Sequence, residues 1–227
     1  MNKNDFLQNI SRRLGRETVP TVAPERIIEG APEFWTSARG MSEMSLSLFC
    51  ESLTALGGEV QVCESLEEVQ NTLQNLLQKL APKRVATWEL DEFTDLGLSA
   101  EQWREVLKPY ETLEWGRCTL DELSRADVGI TGCACAIADT GTLVMMAGPG
   151  RGRSVSLLPT VHIAIIRQSQ IRHRMGEVMA ELSPLGQMPS AVHFISGPSR
   201  SSDIENDQSI GVHGPAALYV LIHRDVL

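Results

Sequence analysis

From Glu59 to Trp115 the chain alternates short β-forming runs with segments of helical period, and that alternation admits few folds. Its anchor lies between Ser65 and Leu80, where Leu66, Val69, Leu73, Leu76, Leu77 and Leu80 recur at three- and four-residue spacing. Such spacing predicts a helix with one apolar face, and Ser65 followed by Glu68 predicts a capping box at its start. Glu59–Cys63 and Arg84–Trp88 read as strands on either side. Ser99–Leu107 reads as a second helix with Trp103 turned inward, Thr112–Trp115 as a strand and Thr119–Ala126 as a short helix. Strands separated by helices pair as crossovers, hence in parallel. The expected class is α/β, an open and largely parallel sheet with helices on both faces.

Beyond Asp127 the pattern changes. Ala136–Ala138 and Leu143–Met146 flank Asp139-Thr140-Gly141-Thr142, which predicts a hairpin or a bulged strand pair and adds antiparallel strands. Val161–Ile166, Ala191–Ile195 and Ala217–Ile222 read as strands, Asp127–Thr131 opens this part, and Ile171–Leu182 reads as a helix. Ahead of the sheet, Phe6, Leu7, Ile10 and Leu14 share one face of an expected helix over 5–14 that Gly15 stops. Thr18–Pro32 has no period and reads as a linker, and Glu33–Leu56 is loosely helical up to Gly57-Gly58. The expected organisation is an N-terminal helix and arm over 1–32 and a main domain over 33–227.

The net charge is −9, which argues against nucleic acid as a partner, because phosphate binding rests on clustered Lys and Arg. A local group of Arg167, Arg172, His173 and Arg174 reads as a solvated face or as an anion site. No apolar run approaches the roughly 20 residues of a membrane span, and the polar start lacks a secretory pattern, so a cytoplasmic location is expected. Five cysteines do not form a disulfide framework in that compartment. Cys133-Ala134-Cys135 is the one close pair. Strand alternation would turn both sulfurs to one face, yet no second Cys or His pair stands at zinc-like spacing and the four-cysteine runs of iron–sulfur clusters are absent, so no metal or other cofactor is expected on this chain.

Two polar clusters stand out within apolar surroundings. In the first, Asp139 reads as a turn-capping carboxylate or as a base, Thr140 and Thr142 as hydrogen-bond donors, and Gly141 as a point of close approach. Arg153 follows a glycine-rich turn and reads as a bidentate grip on a carboxylate or phosphate, or as an ion-pair partner of Asp139 or Glu205. In the second cluster, Ser196, Gly197 and Ser199 form a loop of small residues after a strand, Asp203 and Glu205 follow, and His213 stands between Gly211 and Gly214 just ahead of another strand. A near-neutral imidazole suits proton abstraction, and His213 reads as that base or as a structural histidine. His162 and His193 fall inside strand patterns and read as sheet packing. Two such clusters argue for one shared pocket, and none of the dinucleotide, P-loop, nucleophile-elbow or zinc-helix motifs occurs.

Four segments in order carry a resemblance: Ile137-Ala138-Asp139-Thr140-Gly141-Thr142, Arg151-Gly152-Arg153-Ser154 through Val161-His162, Ile195-Ser196-Gly197-Pro198-Ser199 through Asp203-Ile204-Glu205, and Gly211-Val212-His213-Gly214-Pro215. Together they resemble the lactate-utilisation (LUD) domain of the lactate utilisation protein C family, whose N-terminal extension the leading helix also resembles. The first motif of that family often carries Glu where this chain has Asp139, a shorter reach for the carboxylate. The resemblance implies a fold like that of ribose-5-phosphate isomerase, glucosamine-6-phosphate deaminase and the coenzyme A transferases (NagB/RpiA/CoA transferase-like). It also implies a part in oxidising L-lactate to pyruvate beside sister subunits that hold the iron–sulfur clusters. This chain would then bind the small carboxylic acid or assist its proton transfer, with Arg153 gripping the carboxylate and His213 or Asp139 taking a proton. Alternatives are a non-catalytic assembly subunit of that complex, and a stand-alone enzyme on a phosphosugar or acyl substrate.

Overall fold

A computed structural model describes residues 2–16, 18–19, 42–184, 186, 188–202, 208–211 and 213–225. The chain divides into two compact units, Met1–Pro32 and Glu33–Leu227. In the first, α1 (Lys3–Arg13) begins at a reciprocal capping box between Asn2 and Asp5 and ends just before Gly15, whose φ is 69°. The 20–41 part of the expected arm and helix lies outside the described residues.

In the second unit α2 (Ser42–Ala55) leads into β1 (Glu59–Cys63), α3 (Leu66–Leu80) and β2 (Arg84–Thr87). A 3-10 segment over Leu90–Leu96 that the sequence pattern did not announce precedes α4 (Ala100–Leu107), β3 (Glu111–Glu114), α5 (Leu120–Leu123) and β4 (Val128–Thr131). Then come β5 (Cys135–Ile137), β6 (Thr142–Met146), α6 (Ser154–Leu157), β7 (Val161–Arg167), β8 (Ile171–Arg172) and α7 (Met175–Leu182). Last are β9 (Val192–Ile195), β10 (Arg200–Ser202), β11 (Gln208–Ile210) and β12 (Ala217–His223).

Six strands form one wholly parallel sheet in the order β1-β12-β7-β4-β2-β3. Its central strands are apolar on both faces, as a sheet covered on both sides requires: β4 is buried throughout, and β7 is buried from His162 to Ile166. Register fixes which helix covers which face. Gly129, His162 and Leu218 stand in one row across β4, β7 and β12, and α6 lies over Gly129. Tyr219 and Leu221, one residue out of step, turn the other way against Thr72 and Leu76 of α3. Helices therefore cover both faces. Trp103 of α4 is buried as expected, its ring 4.6 Å from that of Phe93 in the 3-10 segment.

Four of the strands between β4 and β12 build a second sheet in the order β8-β5-β6-β9, with β5 and β6 an antiparallel hairpin, while β10 and β11 pair antiparallel with each other. Three expectations are corrected here. The helix expected over Ile171–Leu182 begins only at Met175, because Ile171 and Arg172 are drawn into parallel pairing with Ala136 and Ile137. Only half of the Ser65 capping box forms: Ser65 accepts from the Glu68 N–H, while the Glu68 carboxylate accepts from the N–H of Glu64, 2.8 Å away. Cys133 and Cys135 do not share a face. The chain is not yet a strand at Cys133, which packs in the main core, whereas Cys135 packs with Ile137, Val144 and Val178 beside the small sheet. Burial pushes the Cys135 thiol up to about 11 and that of Cys133 well above its ordinary range. Among the described residues no group of three or more His, Cys, Asp or Glu is placed to hold a metal ion, and no helix is long and apolar enough to cross a membrane.

Candidate functional site

The site begins with a missing side chain. A Cβ on Gly129 would stand 1.9 Å from the carbonyl oxygen of Val155, so the absence of one lets α6 lie directly on the sheet. The turn that delivers α6 is fixed by two indoles: Trp88 Nε1 donates to the Gly152 carbonyl at 3.2 Å and Trp115 Nε1 to that of Pro149 at 3.0 Å. Arg151 on this turn pairs with Glu92, leaving Arg153 exposed and without an ion pair among the described residues. Ser156 of α6 is fully buried over β7.

Beneath it lies His162, the second residue of β7, only 1% exposed. Its Nε2 is 2.8 Å from Thr131 Oγ1, and its Nδ1 has no partner among the described residues. Burial, and after it the neighbouring His193, push the imidazole down to about 3, so it is neutral. His193 itself stands on β9, its Nε2 3.2 Å from Ser156 Oγ. Burial and then the charge of Arg153 lower its pKa in turn. Arg153, which does not line the cavity over His162, thus projects positive potential toward His193.

Over this floor opens a cavity of ≈ 250 Å³ at the amino ends of β7 and β12. The usual rule for open α/β sheets points to the carboxyl ends instead. The difference follows from the second sheet: after β9 the chain returns to the start of β12, and residues 196–199 and 213–215 wall the cavity. Ser199 N–H donates to the Pro215 carbonyl at 2.8 Å and Gly211 N–H to that of Ser199 at 3.0 Å, which locks the loops together. Gly197, at φ 108°, lies close to the Leu56 carbonyl, in a conformation that favours glycine.

The structure therefore gathers Ser196, Gly197, Ser199, His213 and Gly214 around one cavity, with His213 exposed at the rim. Thr142 is tied to this group, its Oγ1 2.8 Å from Ser196 Oγ and 2.8 Å from Thr140 Oγ1. Gly141 serves packing: a Cβ there would meet the backbone of Leu53 in α2 at 2.4 Å. Asp139 and Thr140 sit exposed at the hairpin tip, outside the cavity lining, and the Asp139 carboxylate has no hydrogen bond or ion pair among the described residues. The apolar neighbours that suggested a constrained carboxylate are buried, but the turn itself reaches solvent. Asp203 and Glu205 lie outside the described residues. The basic group is largely engaged, Arg172 with Glu181, Arg167 with Asp225 at 3.8 Å and His173 with Ser45 at 3.4 Å. Sequence reasoning passed over His162 and Ser156. A polar residue that interrupts the apolar run of β7 was the available signal.

A wholly parallel α/β sheet with an antiparallel insertion and a histidine-floored cavity at its amino ends occupies the same residues that a known family covers. Residues 46–223 match the LUD domain, and the chain belongs to that family. More particularly, it is 34% identical to Lactate utilization protein C of Halalkalibacterium halodurans, over 97% of each chain. It is 37% identical to the protein of that name from an Exiguobacterium strain, over 98% of this chain and 96% of the other. A crystal structure of a DUF162 family protein from Deinococcus radiodurans shares the fold with a TM-score of 0.56, covering 81% of this chain and 99% of its own at 23% identity.

Proposed function

We propose that this protein acts in lactate utilisation as a cytoplasmic subunit that binds the small carboxylic acid of L-lactate oxidation, lactate or pyruvate, beside partner subunits that hold the iron–sulfur clusters. One observation carries the reading: the cavity is small, below the ~300–1,000 Å³ of drug-sized ligand sites, and it gathers imidazole and hydroxyl groups with a cation nearby. Those groups suit an acid of a few heavy atoms. His213 at the rim is the candidate base, Ser196 and Ser199 offer hydroxyl donors, and Arg153 supplies the attraction for a carboxylate. The names of the relatives support the metabolic assignment. Calorimetric titration with L-lactate and pyruvate tests it: binding that is lost in Arg153→Ala and His213→Ala supports the reading, and no binding by the intact protein overturns it.

A second reading, an assembly subunit, is favoured by the rim itself, where Leu157 and Phe194 are 38% and 39% exposed, with Leu158, next to Leu157 in the chain, 47% exposed. Apolar side chains grouped in this way suit a partner surface. Under that reading Phe194→Ser releases the iron–sulfur partners in a pull-down, while Arg153→Ala leaves them bound.

A further inference from the structure

The floor of the cavity holds a donor that nothing in the protein uses. Thr131 is fully buried and its hydroxyl has one partner among the described residues, Nε2 of His162. If Nε2–H donated, both the Thr131 hydroxyl hydrogen and the Nδ1 lone pair would be buried without a partner, whereas Thr131 donating to Nε2 leaves only Nδ1–H unmet; at about 1–3 kcal/mol for each unmet buried group, the second arrangement is favoured. A neutral imidazole that accepts at Nε2 carries its proton on Nδ1. That Nδ1–H, buried and unpartnered, belongs to a side chain lining the cavity.

We propose that His162 is a ligand-binding residue, its Nδ1–H donating to one oxygen of a small carboxylic acid seated in the cavity. The inference rests on the function proposed above and adds to it the group that fixes the inner end of the ligand. Several observations converge on an oxygen acceptor rather than a donor. The ring is held neutral by burial, so it offers one donor and carries no net charge. Its acceptor nitrogen is already spent on Thr131. Ser196 and Ser199 lie on the loop facing it, where they can hold the other oxygens of a carboxylate. His162 therefore acts by orienting the acid, while His213 stands at the opposite, exposed end.

The test uses the full chain with sodium pyruvate and sodium L-lactate as probes. Because the side-chain nitrogen of Asn can take the place of Nδ1, His162→Asn keeps the donor, and His162→Leu removes it. Affinity for both acids is expected to fall about tenfold or more in His162→Leu and to stay within about threefold in His162→Asn. Nitrogen NMR of the intact protein supplies a readout that needs no substitution: Nδ1 of His162 carries a proton without ligand, and its resonance moves when pyruvate is added. Binding that survives His162→Leu, a bare Nδ1, or a resonance that pyruvate leaves unmoved overturns the inference alone. Failure of the intact protein to bind either acid overturns the parent reading and this inference together.

Discussion

Replacing His162 with Asn should make the protein markedly more tolerant of mild acid. Native His162 is pushed down to about 3, whereas the same side chain in the unfolded chain titrates near 6.5. Below pH 6.5 the unfolded state therefore takes up a proton that the native state refuses, and stability falls as pH falls, through the window from 6.5 to about 3. Each pH unit inside that window costs about 1.4 kcal/mol, so lowering the pH from neutrality to 5 removes about 2 kcal/mol. Acidity of pH 5 stays above the ordinary values of Glu43 and Asp225, 4.5 and 3.8, both of which are lowered further in the native protein, so those carboxylates stay largely ionised and contribute alike to the intact protein and the variant. Urea unfolding of the intact protein and of His162→Asn at pH 7 and pH 5 isolates the effect, because Asn has nothing to titrate. The intact protein should lose about 2 kcal/mol more than the variant between the two conditions. Equal losses would mean that His162 titrates normally in the folded state and is not held neutral by burial.

Three further outcomes follow from the geometry. Gly129→Ala places a methyl group 1.9 Å from a backbone carbonyl, so it should destabilise by about 3 kcal/mol and abolish ligand binding by lifting α6; a melting temperature within a degree of the intact protein would refute the packing. Ser196→Ala removes the 2.8 Å contact with Thr142 and should cost about 1 kcal/mol in chemical unfolding, and Thr142→Val should cost more, because Thr142 Oγ1 also meets Thr140 Oγ1 at 2.8 Å; equal costs would refute the shared role of Thr142. In native protein at pH 8, a thiol reagent should modify Cys50 and Cys118 first, both partly exposed, and reach Cys133 and Cys135 only on unfolding; early labelling of Cys135 would contradict its thiol's rise to about 11.

The main sheet was legible because its signals are local. A strand such as Glu59–Cys63 and a helix such as Leu66–Leu80 each announce themselves by their own period, and both formed within a residue of the expected bounds. What failed was decided by partners distant in sequence. Ile171 and Arg172 have a helix-like continuation, but Ala136 and Ile137, some thirty-five residues earlier, claim them as a strand. The site divides in the same way. The Ser196 to Ser199 and His213 loops were visible as clusters of small and polar residues, and they do share one cavity. Asp139 looked enclosed because its neighbours in sequence are apolar, yet a hairpin tip turns outward whatever flanks it. His162 looked like sheet packing because a strand pattern reveals alternation, and alternation alone does not say that a glycine on the next strand and a four-residue helix will leave a cavity above one row.

The placement of β12 sets the order in which this molecule can be finished. Its neighbours are β1 and β7, and the pairing of Glu59 with Tyr219 joins residues 160 positions apart. During synthesis β1 must wait, unpaired, while nearly all of the remaining strands are made, and β7 waits with one flank open. Both loops that wall the cavity also depend on that strand, since Ala216 and Ala217 dock onto the Thr160 carbonyl only when it arrives. The cavity is therefore among the last features to exist. A nascent chain stalled before residue 217 leaves the flanks of β1 and β7 unpaired and has no such cavity.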